Sequence, residues 1–572
     1  MSDRMRLGRC ISSRRLKLSA VSLAVVGGLA LITSTASAQE NAAPIDDLKR
    51  LVDVQQQQIR QMQDQLARLQ QTSPSQQING ADGSAPVPAM PADFAPDAAK
   101  PGAPAAPAKK PDDGYVVGSD LSVKTDFRKG LFLWFATPNN DFNMHIGGWM
   151  QWDNVWFDQS PSLKAAPIAR TPANTPGFAG GVPGGGIGDL QDGEFFRRIR
   201  TFFEGNFWEN GEYRLILALE NDQLQTVGLD EFWVGAKDLP VLGTVRLGHV
   251  KTPMGLEGDM TASSRCMTFM ERSIYSEAIE LNQNFVTGVW VGDNYLDQRV
   301  TWSGAVFRPD IGSSTGDYFG DSQGGVQGRL TCLPWYENEG RDLLHLGLSG
   351  GIRTNDNNSF RRFQLRARQT LRDDDPAGGV PNADNNRFID TGVITAHDQA
   401  LLGTEMLWIR GPFSVQAEYG WNFVNGAIAA VNPIAPPQDL TFNGGYVQVA
   451  YTLTGENRAY DRRFGTLDRY YYGSSGPFSN AWLIRDDEGA LHCGTGAWEV
   501  AARYDYTDLN SGTGTGRIVG GIASGFTLGL NWYLNNNCNV MFDWVYDTRD
   551  DVPANSAVGW ISGFGTEFQF QF

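Results

Sequence analysis

Across residues 413–423 the odd positions Phe413, Val415, Ala417, Tyr419, Trp421 and Phe423 are apolar or aromatic, while Ser414, Gln416, Glu418 and Asn422 between them are polar. A repeat of two belongs to a β-strand, which sends successive side chains to opposite faces, and does not fit a helix. The same alternation sets Phe526, Leu528, Leu530, Trp532 and Leu534 against Thr527, Asn531 and Asn535, and Val540, Phe542, Trp544 and Tyr546 against Asp543 and Asp547. In the last stretch Phe564, Phe568, Phe570 and Phe572 share one face, and Glu567, Gln569 and Gln571 the other. Segments of this texture number about sixteen, the first near 142–157 and the last near 560–572. An even number closes an up-and-down barrel with both ends on one side.

These segments are long enough for the 9–11 residues that a tilted strand needs to cross a bilayer, and no apolar stretch after residue 38 reaches the roughly 18 that a helix needs. Glu209-Asn210-Gly211, Gly411-Pro412 and Asn535-Asn536-Asn537 read as tight turns, whereas the links at 158–193 and 310–324 are long. Short turns mark the periplasmic end of such barrels and long loops the outside. A soluble propeller also has many short strands, but its blades repeat every 40 residues or so, and no such repeat is visible here. The 31 Phe, 17 Tyr and 16 Trp supply the aromatic belt of a membrane barrel. The expected fold class is therefore all-β, a 16-stranded antiparallel transmembrane β-barrel over 139–572.

What precedes the barrel divides into three. Arg4, Arg6, Arg9, Arg14, Arg15 and Lys17 lead into an apolar run from Leu18 to Ile32 and the small residues Ala36-Ser37-Ala38, the pattern of a signal peptide over 1–38. Arg14-Arg15 stands without the rest of a twin-arginine motif, and Cys10 lies in the basic region. From 39 to 71, Ile45, Leu48, Val52, Gln55, Ile59, Met62, Leu66 and Leu69 follow the 3,4 spacing of a coiled-coil seam. A single amphipathic helix on another surface is the alternative. Residues 72–138, rich in Pro and Ala, have too little apolar surface to fold alone and read as a disordered linker and pre-barrel segment.

The formal charge of −17 becomes about −22 once the basic leader is removed, which argues against nucleic acid as a partner. Cys266, Cys332, Cys493 and Cys538 form no metal or haem spacing, so no cofactor is expected. His145, His249, His345, His397 and His492 sit in no catalytic signature, and neither GxSxG nor HExxH occurs, so the chain is not read as an enzyme.

Gly193-Glu-Phe-Phe-Arg-Arg-Ile-Arg200, Val245-Arg-Leu-Gly248, Phe269-Met-Glu-Arg-Ser273, Gly444-Gly-Tyr-Val-Gln448 and Gly529-Leu-Asn-Trp-Tyr-Leu534 together resemble the phosphate-selective porins of the porin O and porin P type. The resemblance covers roughly 140–572. It implies an outer-membrane homotrimer of sixteen-stranded barrels, embedded in outer-membrane lipid and narrowed by in-folded segments that carry arginines. It further implies that Phe572 is the terminal signal read by the barrel-assembly machinery. A trimer suits a three-stranded coiled coil, although the seam residues suit two strands equally well.

Three connections have the length to fold inward, near 254–284, 356–399 and 456–495. Guanidinium groups offer fixed planar donors to phosphate oxygens and stay charged at neutral pH. Candidates for the pore-lining, anion-binding track are Arg265 and Arg272 in the first connection and Arg361, Arg362, Arg366, Arg368 and Arg372 in the second. Arg458, Arg462, Arg463 and Arg469 lie in the third. On the strand at 194–208, Phe195, Ile199 and Phe203 set the outer face, which places Arg198 and Arg200 in the lumen. The alternative for each arginine is a solvated or salt-bridged residue. Trp149 stands where the family pattern leads one to expect a lumenal arginine, and acids accompany the arginines of the first two connections. The expected function is passive diffusion of small anions such as phosphate. The alternatives are a general or sugar-admitting porin, in which Trp149 would stack on the solute, and a tether between envelope layers that uses the periplasmic coiled coil.

Overall fold

The computed structural model describes residues 120–128, 132–165, 186–219, 228–259, 266–280, 285–308, 324–354, 362–373, 387–429, 435–468, 479–485, 489–552 and 556–572, all within the compact unit 93–572. The signal peptide, the heptad segment and the linker up to 119 lie outside the described residues.

Sixteen antiparallel strands follow one another around a closed sheet: β1 (Asn143–Gln159), β2 (Gly193–Phe207), β3 (Gly211–Ala218), β4 (Gly228–Leu239), β5 (Gly243–Lys251), β6 (Phe285–Tyr295), β7 (Val300–Arg308), β8 (Gly324–Glu337), β9 (Asp342–Thr354), β10 (Asp398–Arg410), β11 (Phe413–Ala429), β12 (Gln438–Thr452), β13 (Ala497–Ser511), β14 (Ile518–Tyr533), β15 (Cys538–Asp550) and β16 (Gly559–Gln571). Each pairs with the next. β16 closes on β1 in a register running from Ile561 opposite Gln159 to Gln571 opposite Trp149. Closure leaves none of the sixteen strands at an open edge, which is what a bilayer demands of strands. Phe572 extends this seam by one pair, its N–H donating to the Gly148 carbonyl at 2.9 Å and its carbonyl accepting the Gly148 N–H at 2.8 Å. A hairpin of Lys124–Arg128 and Phe132–Ala136 continues it, with Leu133 opposite Ile146 on β1.

The distribution of side chains is inverted relative to a soluble domain. Phe232 and Val306 are 59% and 61% exposed on the outer face, whereas Arg503, Asp505, Asp543, Asp547 and Glu567 on the inner face are 2% exposed or less. Alternation read from the sequence assigns these faces correctly along β11, β14, β15 and β16, where Glu418, Thr527, Asp543 and Gln569 are buried inward.

Turn chemistry explains the short end. Between β10 and β11, Gly411 takes a φ of +56° and Pro412 fixes the next φ near −65°, the sign pattern of a type II′ hairpin turn. The parity of the strands places the 252–284 and 355–397 connections at the long-loop end and the 453–496 connection at the short-turn end. Lumen-facing glycines make room for what enters. A Cβ on Gly529 would lie 2.9 Å from the Phe269 ring, and one on Gly420 would lie 2.5 Å from the Tyr275 hydroxyl.

Candidate functional site

A segment that folds into a barrel must satisfy the buried polar groups it covers, so its docking is readable from its hydrogen bonds. The first connection leaves β5 and crosses to β10–β15. There Glu418 of β11 accepts the backbone N–H groups of Leu256 and Glu257, the latter at 2.9 Å, and the Tyr446 hydroxyl of β12 at 2.5 Å. Glu257 in turn accepts the Ser273 N–H and hydroxyl at 2.9 and 2.6 Å, the Ser276 hydroxyl at 2.8 Å, and Arg503 of β13 at 3.0 Å. Further along, Asn531 donates to the Thr268 carbonyl at 2.8 Å, and the Met270 N–H donates to Asp543 at 2.8 Å. The second connection docks on β15, where Asp547 accepts the N–H and hydroxyl of Thr370 at 2.7 and 3.0 Å and Arg549 donates to the Phe388 carbonyl at 3.1 Å.

Where the two connections face β2, they leave a cavity of about 100 Å³ lined by Arg197 of β2, Glu271, Arg272 and Glu277 of the first connection, and Arg368 and Arg372 of the second. Glu271 pairs with Arg197 and lies 3.5 Å from Arg198 Nη2 and 3.8 Å from Arg372 Nε. Glu277 pairs with Arg372 at 3.0 Å and Arg387 at 3.1 Å, and accepts the Arg368 N–H at 3.2 Å. Burial alone would raise the Glu271 carboxyl, but Arg197, Arg198 and Arg372 overcome it and hold the group far below the usual carboxylate range. Glu277 is likewise held low, against burial, by Arg372, Arg387 and Arg368. Arg368 is pushed down to about 9 by burial and by Arg372 and Arg387 beside it. The cavity thus carries four guanidinium groups against two ionised carboxylates, a setting for a small oxyanion.

The family model for phosphate-selective porin O and P matches residues 180–572. The chain belongs to this family. Porin O of Pseudomonas aeruginosa is 26% identical over 471 residues, which cover 80% of this chain and 93% of that protein. An uncharacterised protein of Caulobacter vibrioides is 28% identical over 347 residues, covering 59% of this chain and 60% of its own. Among solved structures, OmpT of Vibrio cholerae, an outer-membrane protein in its trimer form, aligns with a TM-score of 0.40 at 9% identity, covering 75% of this chain and 99% of that one. The outer-membrane channel DcaP of Acinetobacter baumannii aligns with a TM-score of 0.40 at 11% identity, covering 75% and 97%.

In this outer-membrane porin, Arg272, Arg368 and Arg372 line the cavity, and Arg198 sits behind it, 4% exposed, donating to Gln151 at 2.9 Å. Arg200 faces the lumen away from the cavity and pairs with Asp230 at 2.5 Å. Arg366 lies on a two-residue strand opposite Asp390 and does not line the cavity. Arg462 pairs with Asp297 at 3.0 Å in the turn between β6 and β7, and Arg463 lies 5.0 Å from the Phe464 ring, so both belong to the short-turn end of the lumen. Arg265, Arg361 and Arg469 lie outside the described residues, and of Arg362 only the backbone is described, paired with Thr395.

Two expectations need correction. The β1–β2 register shifts between Gln151 and Trp152, so that Gln151 faces Arg198 while Trp152 faces Phe196, and Arg197 is the extra residue of a bulge. Phe196, 43% exposed, therefore takes the outer face, Phe195 pairs with the lumen-facing Asp153, and Arg197 turns inward, which strict alternation does not anticipate. Trp149 is 2% exposed, packed on Phe202 and Ile216 with Arg200 5.7 Å from its ring, and offers no stacking face to a sugar. Arg387 and Arg503 were absent from the expected track. Arg387 lies within the second connection and Arg503 on the lumenal alternation of β13, but the partner that makes Arg503 structural, Glu257, is 246 residues away in sequence.

Proposed function

We propose that this porin admits small anions, phosphate among them, by passive diffusion, and that the arginines around the cavity select them. The observation that carries this reading is the surplus of guanidinium over carboxylate there, Arg197, Arg272, Arg368 and Arg372 against Glu271 and Glu277. The family and the Porin O relative support phosphate as the solute. A homotrimer, a periplasmic N-terminal extension and recognition of Phe572 by the assembly machinery belong to the same reading. In planar bilayers under a KCl gradient the reversal potential should show anion preference, and Arg368→Ala with Arg372→Ala should reduce it and weaken block of the chloride current by phosphate. Cation preference in the parent protein, or an unchanged potential in the double variant, would defeat the reading.

A second reading, a pore of low charge selectivity, draws on the β2–β5 wall, where arginines are matched by acids. Arg214 pairs with Glu204 at 2.8 Å and Arg246 with Glu212 at 2.8 Å. Liposome swelling separates the two, because only the second reading expects rates that ignore solute charge.

A further inference from the structure

The arginines of the second connection already hold an anion, and that anion is part of the chain. Both oxygens of Glu277 are engaged: Oε2 faces Arg372 Nη2 at 3.0 Å and accepts the Arg368 N–H at 3.2 Å, while Oε1 faces Arg387 Nη1 at 3.1 Å. Carboxylate and phosphate oxygens are equivalent acceptors for these donors. A guanidinium carries five N–H groups, so one carboxylate does not saturate it. Among the described residues, the buried Nε and Nη1 of Arg372 meet no hydrogen-bond acceptor. Arg372, 17% exposed, lines the cavity, and a solute anion that approaches it there lies beside Glu277 and Glu271 and is repelled by both.

The two glutamates differ in what else they do. The Glu271 side chain is 5% exposed and touches Arg197, Arg198 and Arg372, and so ties the first connection to β2 as well as to the second connection. The Glu277 side chain, 19% exposed, sits on the single turn Ser276–Glu280 and, among the described residues, engages groups of the second connection. It also lines the cavity. Conduction needs binding strong enough to draw a solute in and weak enough to let it leave.

We propose that Glu277 is a selectivity-setting residue, a tethered counter-anion that competes with the permeating anion for Arg372 and so keeps its residence short. The inference rests on the cavity being the selecting site. Its prediction runs against intuition for a pocket that holds a carboxylate in place: removing the charge tightens solute binding instead of abolishing it.

The test compares the parent porin with Glu277→Gln and Glu277→Met, two neutral replacements so that one remains if the other does not fold, together with Glu277→Asp. Folding is checked by the heat-modifiable migration of the barrel. In planar bilayers both neutral variants should move the reversal potential toward that of chloride. The inorganic phosphate concentration that halves the chloride current should fall on the order of tenfold. Glu277→Asp should stay near the parent, as should Glu339→Gln on the turn between β8 and β9. Neutral variants that match the parent in both readouts, or that need more phosphate for block, overturn the proposal. Because each variant is read against the parent, a cation-preferring parent would remove the reading of an anion porin, while the shift on neutralising Glu277 would still decide whether this carboxylate sets the selectivity.

Discussion

Arg503 shows how a single lumenal residue can be structural. Its side chain is fully buried, donates to Glu257 at 3.0 Å and to the carbonyls of Glu271 and Arg272 at 3.0 and 3.4 Å, and lies 4.7 Å from the Phe269 ring. It therefore holds the first in-folded connection at four residues, and beside it on β13 the wholly buried Asp505 lies 3.7 Å away. Truncating one partner of a buried, hydrogen-bonded charge pair leaves the other without compensation and typically costs about 3–5 kcal/mol. Arg503→Ala should lower the stability of the folded porin by about that amount, read as a lower denaturant midpoint in detergent. It should also widen the pore, because the connection it pins forms one wall of the cavity. A variant with unchanged midpoint and conductance would show that Glu257 is held by Ser273 and Ser276 alone.

At the scale of elements, strands and their faces are legible because alternation is a local property: four residues of β15, Phe542 to Val545, already distinguish the buried Asp543 from the exposed Trp544. A bulge is not local in that sense. The run Phe195-Phe196-Arg197-Arg198 fits either register, and only pairing with β1 decides that Arg197 is the extra residue. Docking of the in-folded connections is still less legible, because Thr370 meets Asp547 across 177 residues and Met270 meets Asp543 across 273. Their arginines stand out in the sequence, but which carboxylates neutralise them does not. The bulge makes a sharp prediction. In a protein whose natural cysteines are replaced by serine, Arg197→Cys should react with a membrane-impermeant thiol reagent added to the lumen, and Phe196→Cys should not. Unbroken alternation from Ile199 predicts the reverse, so labelling at Phe196→Cys would remove the bulge.

At the scale of the whole barrel, the lumen is narrowed from both ends, and the two intrusions are fastened to each other as well as to the wall. The third connection enters from the short-turn end. Arg329 of β8 donates to the Phe464 and Gly465 carbonyls at 3.2 and 2.8 Å, Tyr460 lies 2.7 Å from His345 Nδ1, and Phe464 packs on the cluster containing Trp233 and Trp290. Arg458, 5% exposed, then reaches across to the first connection, donating to the Cys266 carbonyl at 3.0 Å and to the Thr268 hydroxyl. Thr268 is also held by Gln448 and Asn531 of the wall at 3.1 and 2.8 Å, so Arg458 joins the third connection to a segment already fixed in place. A hydrogen bond to a charged donor contributes about 1.5–3 kcal/mol, and about 1.4 kcal/mol is a tenfold change in a two-state equilibrium. Arg458→Ala should therefore raise the undocked population of the third connection tenfold or more, while Arg329, Tyr460 and Phe464 keep it near the wall. The expected record is a noisier single-channel current with brief excursions to higher conductance and an unchanged reversal potential, since the charges at the cavity stay where they are. A quiet channel of parental conductance would mean that the wall contacts alone hold the third connection. A shifted reversal potential would mean that the constriction and the selecting cavity are one structure rather than two.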